Sequence, residues 1–155
     1  MDMIGYGGWE HCYRLTNGTV ELIVTGDVGP RVIRFGFVDD ANEFWEAPDL
    51  VGKKGGARWV NYGGHRLWHA PEAEPRTYAP DNAPLTTVEE RADAVRFVQA
   101  IETSTGIGKV LDIRLEPGAG EVEVTHRLRN TNLWAVELAP WALSVMAPGG
   151  TAVIP

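Results

Sequence analysis

The sequence predicts an all-β protein built as an antiparallel β-sandwich, and three observations support this fold class. First, 18 glycines and 10 prolines in 155 residues leave few windows long enough for an uninterrupted helix. Second, short segments alternate apolar and polar residues with the period of two that is typical of a strand with one buried face. Third, turns rich in glycine and proline separate these segments at the short spacing that sandwiches show.

The first predicted hairpin joins residues 19–25, TVELIVT, to residues 31–38, RVIRFGFV, through the turn GDVGP. Ile33, Phe35 and Phe37 recur at every second position of the second strand. Side chains two apart on a strand point to the same side of the sheet. We therefore expect these three residues to share one face.

A second hairpin is predicted where residues 111–116, LDIRLE, and residues 121–128, EVEVTHRL, flank the turn sequence PGAG. Each segment alternates apolar and charged residues, so each strand should have one apolar face. His126 falls on the apolar side of its strand, with Val122, Val124 and Leu128. A half-buried structural histidine is therefore expected there.

Residues 94–101 and 135–147 supply further predicted strands. Pro140 interrupts the second of them. Because proline lacks a backbone N–H, this strand is predicted to lie at an edge of its sheet or to contain a bulge or a break.

Residues 47–84 differ from the rest of the chain, since they contain five prolines and five glycines. We predict long loops here with one short strand at most. A segment of this length without regular structure in a compact domain is usually functional or disordered, and its aromatic residues argue against disorder.

Composition excludes several classes of function. The formal net charge is −7, with no basic stripe that could neutralise phosphates or dock on an anionic membrane surface. Cys12 is the single cysteine, so an intrachain disulfide is impossible and a reducing compartment fits. The N-terminus lacks a signal peptide pattern, and no apolar run approaches the roughly 20 residues of a membrane span. We expect a cytoplasmic protein with no nucleic-acid or membrane partner.

Residues 61–76, NYGGHRLWHAPEAEPR, concentrate side chains that exchange protons or hold oxygen atoms. A neutral imidazole can give or take a proton near pH 7, and an adjacent arginine, here Arg66, can hold an oxygen atom. His65, His69 and Glu72 are the candidate catalytic residues, on a loop predicted to fold over one face of the sandwich. In the alternative, one histidine bonds the loop backbone and the other faces water.

A metal site is a further alternative for the same residues. His65 and His69 are four apart, and Glu72 could supply a third ligand. Pro71 and the preceding glycines give a helix poor support, so the two rings are not expected to share a helical face. We expect no bound metal and no cofactor.

Three stretches of the chain resemble known proteins. Residues 12–44, CYRLTNGTVELIVTGDVGPRVIRFGFVDDANEF, resemble the opening strands of galactose mutarotase-like proteins. Residues 63–72, GGHRLWHAPE, and 126–150, HRLRNTNLWAVELAPWALSVMAPGG, resemble an uncharacterised bacterial branch of that superfamily. The resemblance covers residues 9–155.

This resemblance implies a sandwich with a carbohydrate cleft. In true mutarotases a histidine acts as general acid on the ring oxygen and a glutamate as base on the anomeric hydroxyl. Here Trp141 stands where a catalytic histidine is expected, and the base would lie in a C-terminal half that the chain lacks. By the same resemblance the substrate-binding residues are Arg31, Tyr62, Arg66, Trp68 and Trp141, with Trp68 or Trp141 stacking on the sugar.

We expect residues 1–155 to form a single β-sandwich domain, half of a supersandwich, either truncated at the C-terminus or a natural short form. Half of a supersandwich leaves strand edges unpaired, so self-association through these edges is expected.

Three functions follow as hypotheses: a carbohydrate-interacting protein of aldose-epimerase-like ancestry, with a small carbohydrate as partner; a non-catalytic carbohydrate-binding module; or a metal-assisted hydrolase using His65, His69 and Glu72. A carboxylate facing either histidine would favour the first, an open aromatic platform the second, and a bound ion the third.

Overall fold

The computed structural model describes residues 1–154 and contains ten strands in two antiparallel sheets, with no helix in that range. The predicted all-β sandwich is therefore confirmed. The six-stranded sheet has the order β1-β2-β3-β4-β5-β10, and the four-stranded sheet has the order β6-β7-β8-β9. The strands are β1 Asp2–Tyr6, β2 Trp9–Thr16, β3 Val20–Thr25, β4 Val32–Phe37, β5 Gly64–Ala70, β6 Thr87–Glu90, β7 Val95–Val98, β8 Ile107–Leu115, β9 Val122–Asn130 and β10 Ala139–Val145.

Over residues 1–154 no helix could span a membrane. The outer strands β1 and β10 of one sheet, and β6 and β9 of the other, each have a strand partner on one side only within that range. Self-association through these edges stays a prediction.

Apolar side chains cover both faces of the six-stranded sheet. Between the sheets, residues such as Leu67 pack against Phe97 and Leu111, which the four-stranded sheet contributes. On the opposite face, Trp9 and Tyr62 belong to a second buried cluster, against which residues of the segment before β5 also pack. Because both faces are covered, all six residues of β3 are buried. This burial explains why the sequence of β3 is an almost continuous apolar run.

The predicted hairpin of residues 111–128 is confirmed. Strands β8 and β9 pair with Leu111 opposite His126 and Ile113 opposite Val124. Leu111 and Ile113 are fully buried, and Val124 packs against the same cluster. His126 therefore lies on the inner face of its sheet, as the alternation indicated.

The prediction that Ile33, Phe35 and Phe37 share one face is wrong. The pairing of β3 with β4 shifts between Ile23 and Val24, so that Ile33 is an extra residue on β4. Such a bulge reverses the side to which the following residues point. Ile33 packs in the cluster on the outer face, Phe35 packs between the sheets, and Phe37 is 54% exposed.

The prediction of a loop at residues 61–76 is wrong for its central part, where the one short strand allowed for within residues 47–84 is found. Residues 64–70 form β5, which lies between β4 and β10 inside the sheet. Entry into this strand requires glycine twice. A Cβ atom at Gly63 would lie 2.1 Å from the Trp45 carbonyl oxygen, and one at Gly64 would lie 2.3 Å from that of Val32. Both glycines also have a positive φ, which other residues rarely adopt.

Strand β10 lies at the edge of the six-stranded sheet and pairs with β5 alone. The edge position predicted from Pro140 is confirmed. Proline fits there because one side of an edge strand needs no ladder hydrogen bonds.

A buried ionic network joins the two sheets. His69 Nε2 on β5 lies 3.3 Å from Glu102 Oε2, and Lys109 Nζ on β8 lies 2.5 Å from Glu102 Oε1. Thr105 donates a further hydrogen bond to Glu102. Burial alone would raise the pKa of Glu102, but the hydrogen bond to His69 and the charge of Lys109 hold it below its ordinary value. The carboxylate therefore stays charged between its partners.

Replacing Glu102 by glutamine should destabilise the protein by about 3 kcal/mol, because Lys109 would then be a buried charge without a counterion. Chemical denaturation at pH 7 measures this loss. Glu123→Gln is the matched control, since Glu123 forms an exposed pair with Arg114 on the same sheet and its loss should leave stability unchanged. Equal stability of the two variants would contradict a structural role for the network.

Candidate functional site

The alternation of β5 sorts the predicted site residues onto two faces. His65, Leu67 and His69 point toward the four-stranded sheet, where Leu67 joins the core and His69 meets Glu102. Arg66 and Trp68 point to the other face. Two candidate groups of residues result, one on each side of the sheet.

The structure does not bring His65, His69 and Glu72 together. Four residues of extended strand separate the two histidines by about 13 Å, too far for one metal ion. Glu72 lies beyond the end of β5, is exposed, and accepts a hydrogen bond from the Tyr78 hydroxyl. Within residues 1–154, no three or more His, Cys, Asp or Glu side chains are grouped so that they could hold a metal ion.

The outer face of β5 carries what we call the arginine–aromatic cluster. Its ring planes meet at steep angles: Trp59 and Trp68 have centroids 4.9 Å apart, and Tyr78 lies 5.0 Å from Trp68. Trp141, on β10 directly opposite Trp68, lies 5.5 Å from it. The members of the cluster are Arg31, Trp59, Tyr62, Arg66, Trp68, Tyr78 and Trp141.

The guanidinium group of Arg66 contacts two indole rings that also contact each other. Its guanidinium carbon lies 4.9 Å from the centroid of Trp59 and 4.7 Å from that of Trp68. Its Nη1 donates one hydrogen bond of 3.3 Å to Asn61 Oδ1. Burial, and then the positive charge of Arg31, lower the pKa of Arg66 to about 10. The side chain is therefore still a cation at neutral pH.

Arg31 is completely buried. Its Nη2 donates to Asp81 Oδ1 at 2.6 Å and to the Val60 carbonyl at 3.0 Å. Its guanidinium carbon lies 4.9 Å from the centroid of the Tyr62 ring. Asp81 is thus the carboxylate that neutralises this arginine.

The sheet register places the two arginines opposite each other. Val32 on β4 pairs with His65 on β5 in antiparallel fashion, so the adjacent positions Arg31 and Arg66 come face to face on the outer side. Cross-strand neighbours lie about 5 Å apart at Cβ, and like charges in such pairs are destabilising. Other groups must therefore offset the repulsion between Arg31 and Arg66.

Several donors of the cluster have no hydrogen-bond partner although they are buried. They are Arg31 Nε and Nη1, Arg66 Nε, and Trp59 Nε1. Buried polar groups are nearly always paired, and an unpaired one costs free energy. All four atoms are donors, so the cluster lacks acceptors.

All five residues predicted to bind substrate, Arg31, Tyr62, Arg66, Trp68 and Trp141, lie in this cluster. Trp68 is only 4% exposed and Arg66 covers its ring, so an open stacking role for Trp68 does not fit. The half-buried rings Trp59, Tyr78 and Trp141 form its rim instead.

Sequence reasoning missed Trp59, Tyr78 and Asp81 as members of the site. The two aromatic residues carried a signal, since they argued against disorder in the segment around β5. Asp81 carried none.

The inner face of β5 carries a pair of histidines. His65 Nε2 lies 2.8 Å from His126 Nε2, and His65 Nδ1 lies 2.8 Å from Ser144 Oγ. A cavity of about 340 Å³ opens beside His65, lined largely by apolar residues such as Phe35 and Phe44. His126 thus lies on the expected face but bonds another histidine across the two sheets.

The hydrogen bond between the rings needs one donor and one acceptor, so at least one of the two imidazoles must be neutral. Burial, followed by the proximity of His126 and Arg66, lowers the pKa of His65 to about 4. Burial also lowers the pKa of His126. Both rings are therefore predominantly neutral at pH 7, so neither is available there as an imidazolium acid.

Comparisons of the chain with protein-family models, with curated proteins and with solved structures give no match. They provide no link to galactose mutarotase-like proteins, and the resemblance stays a hypothesis.

The histidine pair predicts a pH-dependent stability. The pKa of His65 is about 4 in the folded protein and near 6.5 in an exposed site, so between these values the unfolded chain binds more protons. Stability should therefore decrease as pH falls from about 6.5 to 4, by roughly 1–2 kcal/mol since His65 is partly exposed.

Urea unfolding at half-unit steps of pH measures the slope. His65→Gln cannot titrate but keeps a hydrogen-bonding side chain, so it should flatten the dependence across this window. Identical slopes in the variant and the parent protein would contradict the assignment.

Proposed function

We propose that the protein binds a carbohydrate at the arginine–aromatic cluster. The observation that carries the proposal is the set of buried donors without partners on Arg31, Arg66 and Trp59. Sugar hydroxyl and ring oxygens are acceptors that such donors can bond, and the apolar face of a sugar ring stacks on aromatic side chains. A sugar would thus supply what the cluster lacks.

We place the entrance for a ligand at the segment that precedes Trp59, because this segment is exposed. Residues 53–58 are exposed, and a Cβ atom at Gly55 or Gly56 would meet nothing within 4 Å. Trp59 and Tyr78 are half-buried at the rim. Because Trp59 contacts Arg66, a ligand that bonds Arg66 would change the surroundings of an indole.

The geometry favours binding over epimerisation. His65 and His69 lie on the inner face of β5, so the sheet separates them from a sugar held on the outer face. A carboxylate does face one of these histidines, since Glu102 lies against His69, but both side chains are fully buried and Glu102 also pairs with Lys109. On the outer face, Asp81 is engaged by Arg31 and Glu72 by Tyr78. A non-catalytic binding role therefore fits better than acid–base catalysis, and the spacing of the two histidines gives the metal-assisted hydrolase no support.

Titration with monosaccharides should change the tryptophan fluorescence, because Trp59 and Trp68 flank the proposed ligand. Arg66→Met should weaken binding about tenfold or more, as expected for loss of a charged hydrogen-bond donor. Arg91→Met is the matched control, since Arg91 forms an exposed pair with Glu89 away from the cluster. Equal loss in both variants, or saturable binding untouched by Arg66→Met, would place the sugar elsewhere.

Polarimetry should show no acceleration of the interconversion of α- and β-glucose or α- and β-galactose. A cleft without a free base or acid beside the anomeric centre cannot move the necessary protons. Turnover that disappears in the double variant His65→Ala, His69→Ala would show that the inner face is catalytic and that a binding module is the wrong description.

A further inference from the structure

The arginine–aromatic cluster contains more positive than negative charge. Arg31 and Arg66 face each other, and among residues 1–154 Asp81 is the one carboxylate that forms a salt bridge with either of them. Arg66 has a neutral partner, the Asn61 amide. One positive charge is therefore left without a counterion.

This excess charge is well buried, since Arg66 is 6% exposed and Arg31 is fully buried. An arginine cannot escape the cost by losing its proton at neutral pH. The neighbouring indole rings offset part of the cost but offer no hydrogen-bond acceptor, and Arg66 Nε and two nitrogens of Arg31 remain unpaired. A buried cation with free donors is suited to an anion.

We infer that the ligand of the cluster is a sugar acid, whose carboxylate is bound by Arg31 and Arg66. The inference rests on the proposed carbohydrate function and specifies its substrate class. A carboxylate has one negative charge, which matches the single excess positive charge, whereas a phosphate dianion exceeds it. A planar carboxylate also suits the planar fork of donors that a guanidinium presents.

The exposed segment before Trp59 is positively charged, like the cluster itself. Lys53, Lys54 and Arg58 precede Trp59 in a chain whose formal net charge is −7. Lys54 is paired with Asp27 at 3.7 Å, so the excess positive charge of this segment comes from Lys53 and Arg58. A local cationic stretch on an acidic protein attracts anions to that entrance and repels them from most other surfaces.

Matched pairs of sugars test the inference: glucose against glucuronate, and galactose against galacturonate, titrated by tryptophan fluorescence and calorimetry at constant ionic strength. We expect each acid to bind at least tenfold more tightly than its neutral partner, with the preference shrinking as NaCl rises. Arg66→Met should remove the preference. Arg66→Lys, which keeps the charge without the fork, should retain part of it and serves as the second variant if Arg66→Met does not fold.

Each outcome has a distinct meaning. Equal affinity for acid and neutral sugar would overturn the sugar-acid inference and leave the carbohydrate proposal standing. Tighter binding of glucose 6-phosphate than of glucuronate would overturn the choice of a carboxylate. Binding of acetate or inorganic phosphate as tightly as glucuronate would show an anion site without sugar recognition. No binding of any of these sugars would overturn both the inference and the proposed function.

Discussion

Strand β5 lies within a sheet whose two faces are both covered, and this constraint governs every polar side chain that the strand carries. The four-stranded sheet covers one face, and residues of the flanking segments cover the other. Water cannot satisfy groups in such a position, so protein groups or a ligand must. The polar side chains of β5 therefore each need a specific partner.

The two faces meet this constraint in different ways. On the inner face, the carboxylate of Glu102 lies between His69 and Lys109, and His65 bonds the neutral ring of His126. These contacts join the two sheets and leave no excess of charge. On the outer face, Asp81 pairs with Arg31 alone, and several donors of Arg31 and Arg66 have no partner. The inner pairings are those of a structural element, whereas the unpaired donors of the outer face are the basis of the proposed binding site.

Aromatic rings make the outer arrangement tolerable in the absence of a ligand. The guanidinium group of Arg66 lies against Trp59 and Trp68, and that of Arg31 against Tyr62. The quadrupole of each ring attracts the cation, while Arg31 Nε and Nη1 and Arg66 Nε stay without a hydrogen-bond partner. The cluster can therefore persist with unpaired donors and still bond an acceptor.

The sequence by itself determined the fold class and five of the seven members of the outer cluster. Period-two alternation and glycine–proline turns predicted β3, β4, β8 and β9, because these signals are local and require no knowledge of partners. The candidates Arg31, Tyr62, Arg66, Trp68 and Trp141 also came from the sequence and from the resemblance it carries. Neither the sequence nor the resemblance predicted that these five residues lie together on one face of the sheet.

Only the tertiary structure decided that residues 64–70 are a strand, which face each side chain occupies, and which partners it meets. Strand β5 pairs with β10, about seventy residues later in the chain, and the partner Asp81 comes from a loop, so no local pattern encodes these contacts. The bulge at Ile33 depends likewise on how two strands align. Faces and charge partners arise from long-range pairing, and they place the histidines inside the sandwich and the arginines at the proposed ligand site.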